Sequence, residues 1–452
     1  MKVPNEMNGI EIGGNPNTSI STYIPRCEKD ISPIGKMKSR MQFNGSGKTL
    51  DDSISIGNNF TAREINLESN LLADKYFIER DRISRNLPIQ SILASTYLAS
   101  SEKHVLNLVS KDNFKEILDV ARLFPGNLTS FLGFECRLGV PDSRADWAFA
   151  ISGLNGDRYV LVNLLKDGYL PGQLLNQIEW RQIKDFAKAW ADPESVLNDK
   201  VQCFWLEFDM PDGGFDIPIP CVFFGPTKLP EGVSVNDYKN YDWLTKMALP
   251  LLRGQPLSKA IELNLESCIE RMPKDTTLFQ IGTLLSRSET GVRLYINKIQ
   301  PKDIIPYLNS IGWFDETGEF TKLVKDVKEM ADRFVISFDV NEDGIGSRLG
   351  LELSFDSKVF QKETRWNKLL DYLVKKDLCL SEKRDALLNY PGSEKESTGG
   401  IMEPLKAASG NLNNIFSSTI VKYISHIKIV YQPGEVLEAK AYPAVRLFES
   451  QI

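Results

Sequence analysis

From about residue 125 onward, apolar and polar positions alternate along short segments that come in pairs, and helical periods separate the pairs. The first pair is "SFLGFECRL" (130–138) with "ADWAFAIS" (145–152), and "YVLVNLL" (159–165) is expected to add a further strand. The helix "LPGQLLNQIEWRQIKDFAKAW" follows. The second pair is "VQCFWLEFDM" with "IPCVFFGP", followed by helical "YDWLTKMALPLL" and "LSKAIELNLESCIERM". The third joins "TTLFQIGTLLSRS" to "GVRLYINKI" before the helix "PKDIIPYLNSIGW". The fourth turns at "NEDG" between "RFVISFDV" and "SRLGLELSF", with helices in "WNKLLDYLVKK" and "SEKRDALLNY". "SHIKIVYQPG" and "LEAKAYPAVRLF" form the fifth, after a long loop over 393–415.

Each hairpin has one apolar face. Leu349, Leu351, Leu353 and Phe355 share a side opposite Arg348, Gly350, Glu352 and Ser354. Val292, Leu294 and Ile296 oppose Arg293, Tyr295 and Asn297. Phe204, Leu206 and Phe208 oppose Trp205, Glu207 and Asp209, and Glu135 opposes Phe134 and Cys136. His426, Lys428 and Val430 oppose Ile427, Ile429 and Tyr431; Glu438, Lys440 and Tyr442 form the polar side of the last strand. Amphipathic helices bury their own stripes most economically against the apolar faces, which leaves the polar faces on the far side. Ten antiparallel strands twist and curl, so the expected fold is α+β: a ten-stranded antiparallel barrel with a polar lumen, ringed by helices. Residues 124–452 make this barrel, 62–123 form a helical segment packed on it, and 1–61, rich in Asn, Ser and Gly with little period, read as a loosely docked arm.

Composition removes whole classes of function. The chain of 452 residues is 42% hydrophobic and 25% charged, an ordinary globular balance, and its net charge of −6 speaks against a nucleic-acid partner. No apolar run suggests a membrane span or a signal peptide, so a cytoplasmic protein with no membrane partner is expected. Six scattered cysteines suit reduced thiols. With only His104 and His426, a histidine-rich metal centre is excluded, and any chemistry falls to carboxylates, Lys, Arg and Tyr. "GSGKT" (45–49) imitates a phosphate loop, but Gln42 stands where the leading glycine belongs. "DVNEDG" imitates a calcium loop, but Gly350 occupies the position of the bidentate glutamate, and a turn between strands explains the same residues. No metal is expected.

Five units of paired strands and helix around a polar lumen resemble the αββα-barrel (ABBA-type) aromatic prenyltransferases, and among them the dimethylallyl-tryptophan synthase family. "SFLGFECRL" resembles that family's first strand, "VISFDVNEDGIGSRLGLELSF" its fourth hairpin with Asp339 and Arg348 in matching places, and "YISHIKIVYQPGEVLEAKAYPAV" its last. The resemblance implies transfer of an allylic group from a prenyl diphosphate to an aromatic or peptide acceptor in natural-product biosynthesis, independent of metal and without a cofactor. It implies that Glu135 is the base on the acceptor. Arg293, Tyr295, Arg348, Lys428, Lys440 and Tyr442 would hold the diphosphate, and Trp147, Trp205 and Tyr431 would shield the allyl cation. Glu352 lies in the same lumen. The pattern departs at "PCVFFGP", which has no cation, and at Gly350 and Glu352, where a cation and a tyrosine are expected. A different tailoring enzyme, with Glu135 and Glu352 as acid and base, and a non-catalytic ligand- or peptide-binding barrel remain open. Arg293→Ala is expected to weaken anion binding and to spare the fold.

Overall fold

The computed structural model describes residues 93–451, apart from residues 100 and 130 and the stretches 154–156, 167–169, 211–217, 288–290, 357–361 and 396–415. The arm at 1–61, the phosphate-loop imitation at 45–49 and the start of the segment 62–123 lie outside the described residues.

Among the described residues eleven strands form one sheet: β1 (Phe131–Arg137), β2 (Ala145–Ser152), β3 (Val201–Phe208), β4 (Cys221–Pro226), β5 (Thr277–Thr283), β6 (Val292–Asn297), β7 (Arg333–Asn341), β8 (Gly344–Ser354), β9 (Gly392–Lys395), β10 (Phe416–Tyr431) and β11 (Glu438–Gln451). Strands β1 to β8 pair antiparallel in chain order. β8 then pairs with β10, β10 with β11, and β11 with β1, so ten strands close into a barrel. β9 lies outside the ring, paired with the first half of β10. The β7–β8 turn is tight, with Asn341 opposite Gly344, and Gly344 has φ +115, a conformation open to glycine.

Alternation sorts the side chains as the sequence implies. Leu132, Phe134, Phe149, Phe204, Leu206, Leu294, Phe338 and Leu351 point outward into a continuous core beneath the helices. Lys111–Ala121 shows how one helix covers it: Phe114, Ile117, Val120 and Ala121 are buried at helical spacing. Ser110 Oγ caps its start, accepting from Asn113 N, and Asn113 Oδ1 accepts from Ala145 N at the head of β2. Each large apolar side chain so buried contributes about 1.5–3 kcal/mol. A second, smaller apolar cluster lies inside the barrel and includes Phe131, Trp205, Phe223, Tyr295 and Tyr423.

Two expectations are corrected. "YVLVNLL" is helical, in Asp157–Leu164, because it follows a completed β-hairpin and covers the barrel with Leu161 and Leu164. The loop expected over 393–415 begins instead as the end of β9, whose four residues GSEK carry no apolar period. Among the described residues no helix is long and apolar enough to cross a membrane, and no three His, Cys, Asp or Glu side chains are grouped as a metal would need.

Candidate active site in the barrel lumen

The inward faces of the strands enclose a cavity of about 150 Å³. That is the scale of a single aromatic ring. One of its polar groups is built on β1 and β11, which pair Arg137 with Lys440 and Cys136 with Ala441. Glu135 Oε1 accepts from Lys440 Nζ at 2.6 Å, and its Oε2 accepts from the Tyr442 hydroxyl. Burial alone would raise this carboxyl, but Lys440, Lys428 and the two hydrogen bonds outweigh it and hold Glu135 down to about 2. It is a carboxylate throughout the neutral range. The Tyr442 phenol is pushed well above its usual value by burial and by the lumen's carboxylates, so it donates. The His426 ring stacks on Tyr442 at 4.0 Å between centroids. A β-bulge between Ile424 and Ile427 interrupts the strand register there. Burial lowers the His426 pKa, which favours a neutral imidazole.

Lys428, on β10, stands across from Glu352 on β8. Its Nζ lies 3.4 Å from Glu352 Oε1, donates to Tyr295 OH at 3.3 Å and sits 4.9 Å from the centre of the Tyr295 ring. Gly350 makes this possible: a methyl group there would overlap Ser337 Oγ and Lys428 Cε. On β6 and β7, Arg293 grips Asp339 with both arms, Nε to Oδ1 and Nη2 to Oδ2, each 2.7 Å. Arg287 binds Asp209 in the same way, at 3.1 and 3.0 Å, and Ser286 Oγ donates to Asp209 Oδ2 at 2.8 Å. Arg348, about half exposed, reaches Glu438 at 3.5 Å.

Two further acids line the cavity. Asp146, opposite Glu135 in the β1–β2 register, accepts from Met210 N at 2.8 Å, and burial together with Glu135 pushes it up to about 6. Glu207 on β3 is pushed up to about 8, first by burial and then by Glu135.

Strand parity and pairing thus bring Glu135, Arg293, Tyr295, Arg348, Glu352, Lys428, Lys440, Tyr442 and Trp205 to the lining of one cavity. Trp147 also borders this cavity, but its indole is not the inward shield expected. Its ring lies in the outer layer, against Phe124, Phe149 and Phe208, because Asp146 takes the inward parity beside it. Tyr431 likewise packs outward on Trp313 and Phe320. Asp339 ends in the pair with Arg293. Glu207, Asp146, Asp209 and His426 were not singled out from the sequence as site residues. Inward parity was the available signal for Glu207 and Asp209.

The direct pairing of β11 with both β10 and β1 decides the architecture. This is an αββα barrel. Solved structures of similar fold include 5-dimethylallyltryptophan synthase from Streptomyces coelicolor, at 10% identity, TM-score 0.45, covering 78% of this chain and 97% of that one. AnaPT from Neosartorya fischeri is similar at 11% identity and TM-score 0.44, covering 83% and 98%. The prenyltransferase PriB is similar at 11% identity and TM-score 0.44, covering 80% and 95%. The Streptomyces enzyme has also been solved with DMASPP and Trp. No family model matches the sequence, and no curated protein matches it.

Proposed function

We propose that the chain is a transferase of the aromatic prenyltransferase type, moving an allylic group from a diphosphate to an aromatic or peptide acceptor in the lumen, with no cofactor. The observation that carries this reading is Glu135: a carboxylate held by Lys440 and Tyr442, facing a ring-sized cavity. In the reaction the allylic carbon–oxygen bond breaks and diphosphate leaves with the electron pair. The allylic carbon bonds to the acceptor, and the proton the acceptor loses passes to a carboxylate. Glu135 accepts a hydrogen bond from the acceptor's N–H or O–H and raises its electron density as the new bond forms. Lys428, Lys440, Tyr295 and Tyr442 supply donors to the diphosphate oxygens, and the aromatic faces of Tyr295 and Trp205 stabilise the allylic cation.

The diphosphate meets cations that already have partners, since Lys428 is shared with Glu352 and Arg293 with Asp339. That pairing favours a second reading, in which the lumen serves another tailoring reaction or binds a ligand without reaction. The test is incubation with dimethylallyl or geranyl diphosphate and an indole acceptor such as tryptophan, read by mass spectrometry, alongside thermal shift with the diphosphate alone. A prenylated product lost in Glu135→Gln, with the thermal shift retained, supports transfer. No shift at millimolar diphosphate moves the assignment to the second reading.

A further inference from the structure

Three of the carboxyls lining the cavity have a cation in direct contact: Glu135 has Lys440, Glu352 has Lys428 and Asp209 has Arg287. Glu207 has none among the described residues. It lies on the inward face of β3 between Trp205 and Asp209, opposite Ala148 on β2 and Cys221 on β4. Neither neighbour is a cation. Two residues back on the same face, Trp205 is 7% exposed and its Nε1 meets no oxygen acceptor. One wall of the lumen therefore presents a carboxyl with no cation in contact. Cations on β6, β10 and β11 already have carboxylates in hand.

We infer that the lumen takes an acceptor carrying a cationic nitrogen, an aryl-substituted alkylamine in its ammonium form, and that Glu207 is the specificity-determining residue that receives it. The inference rests on the lumen being the acceptor pocket of the proposed function. The charged groups acting on Glu207 are Glu135, Asp209 and Glu352, which oppose its ionisation, and Lys428, which favours it. Tyr295, Tyr442 and Cys221 also interact with it and stay neutral, all three raised by burial. Among the protein's own groups the balance keeps a proton on Glu207 at neutral pH. An ammonium group replaces that proton: the carboxylic acid releases H⁺ as the carboxylate pairs with the incoming nitrogen. Binding and deprotonation are then linked, and the site selects for positive charge.

Calorimetric titration of the full chain with benzylamine and with benzyl alcohol tests this, since the two share a ring and differ in charge. Repeating the titration in two buffers of different ionisation enthalpy counts the protons exchanged. Benzylamine should bind about tenfold tighter, the order of a charge-assisted hydrogen bond in a shielded site. It should release close to one proton per molecule at neutral pH, and tighten as pH rises towards about 8. Glu207→Gln, which mimics the protonated acid, should keep benzyl alcohol binding and lose both the preference and the proton release. Equal affinities, absence of proton release from the unaltered chain, or a preference that survives in Glu207→Gln would each overturn the inference. Proton-linked amine binding without any response to allylic diphosphate would leave this inference standing while refuting transfer. Transfer to neutral acceptors with no amine preference would do the reverse.

Discussion

Arg293→Ala separates a ligand-binding cation from a wall-building one. The guanidinium makes two 2.7 Å bonds to Asp339, and the two side chains are only 15% and 16% exposed. Truncation leaves a carboxylate in the barrel wall without its partner. Breaking a buried pair from one side costs about 3–5 kcal/mol. Residual exposure on the lumen side admits water, so the lower end applies, about 3 kcal/mol. Outward packing of Val292 and Leu294 alone predicts a fold that is spared; the pair with Asp339 predicts a loss instead. Asp339→Ala should cost a comparable amount, and the double variant much less than the sum, with a coupling of about 2 kcal/mol. Urea unfolding followed by tryptophan fluorescence reads this as a lowered midpoint with an unchanged slope; at a slope of about 3 kcal/mol per molar the single variant moves by about 1 M. A loss below about 1 kcal/mol, typical of a solvated pair, would refute the reasoning and return Arg293 to the pool of ligand-binding cations.

Further outcomes follow from the same geometry. Glu135 is ionised more readily in the folded chain, about 2 against an ordinary 4.5, so its contribution is present above about 4.5 and lost as pH falls towards about 2. Stability measured down that window should fall less steeply in Glu135→Gln than in the parent. Glu207 has the opposite sign: raised to about 8, it makes folding less favourable as pH climbs from about 4.5 to about 8, and Glu207→Gln should remove that slope. Gly350→Ala should push Lys428 away from Glu352 and Tyr295, destabilising the barrel by about 1–3 kcal/mol as an overpacked site does. Trp147→Ala should cost about 3–5 kcal/mol in the same unfolding assay and leave ligand affinity unchanged, since its ring is in the outer core.

The barrel was legible because alternation is local. In "RLYI" or "LELSF" every second residue declares its side, and a closed sheet turns that parity into inside and outside. The same rule places Trp147 outward, for it shares parity with Phe149 and Ile151, whereas the chemistry of an indole alone points inward. Pairing is the part a linear text conceals. That Arg293 answers Asp339, and Lys440 answers Glu135, follows from which strands are neighbours and in what register. Glu207 shows the converse: its inward parity was visible, while the lack of a cation opposite it appears only once β2 and β4 are set beside β3.

Closure through β11 also has a kinetic consequence. β1 is made early and finds its outer partner only when β11 arrives, with Phe131 then opposite Arg446 and Arg137 opposite Lys440. Until that moment the growing sheet has an exposed edge at β1, open to pairing with any other chain. A search between segments so distant in sequence is entropically slow. The half-built wall is nevertheless well suited to the wait: its future lumen face carries Glu135, Asp146 and Glu207, acids that keep an unfinished sheet hydrated and repel a second copy of the same edge. The carboxyls that line the finished cavity thereby also protect the chain before the cavity exists.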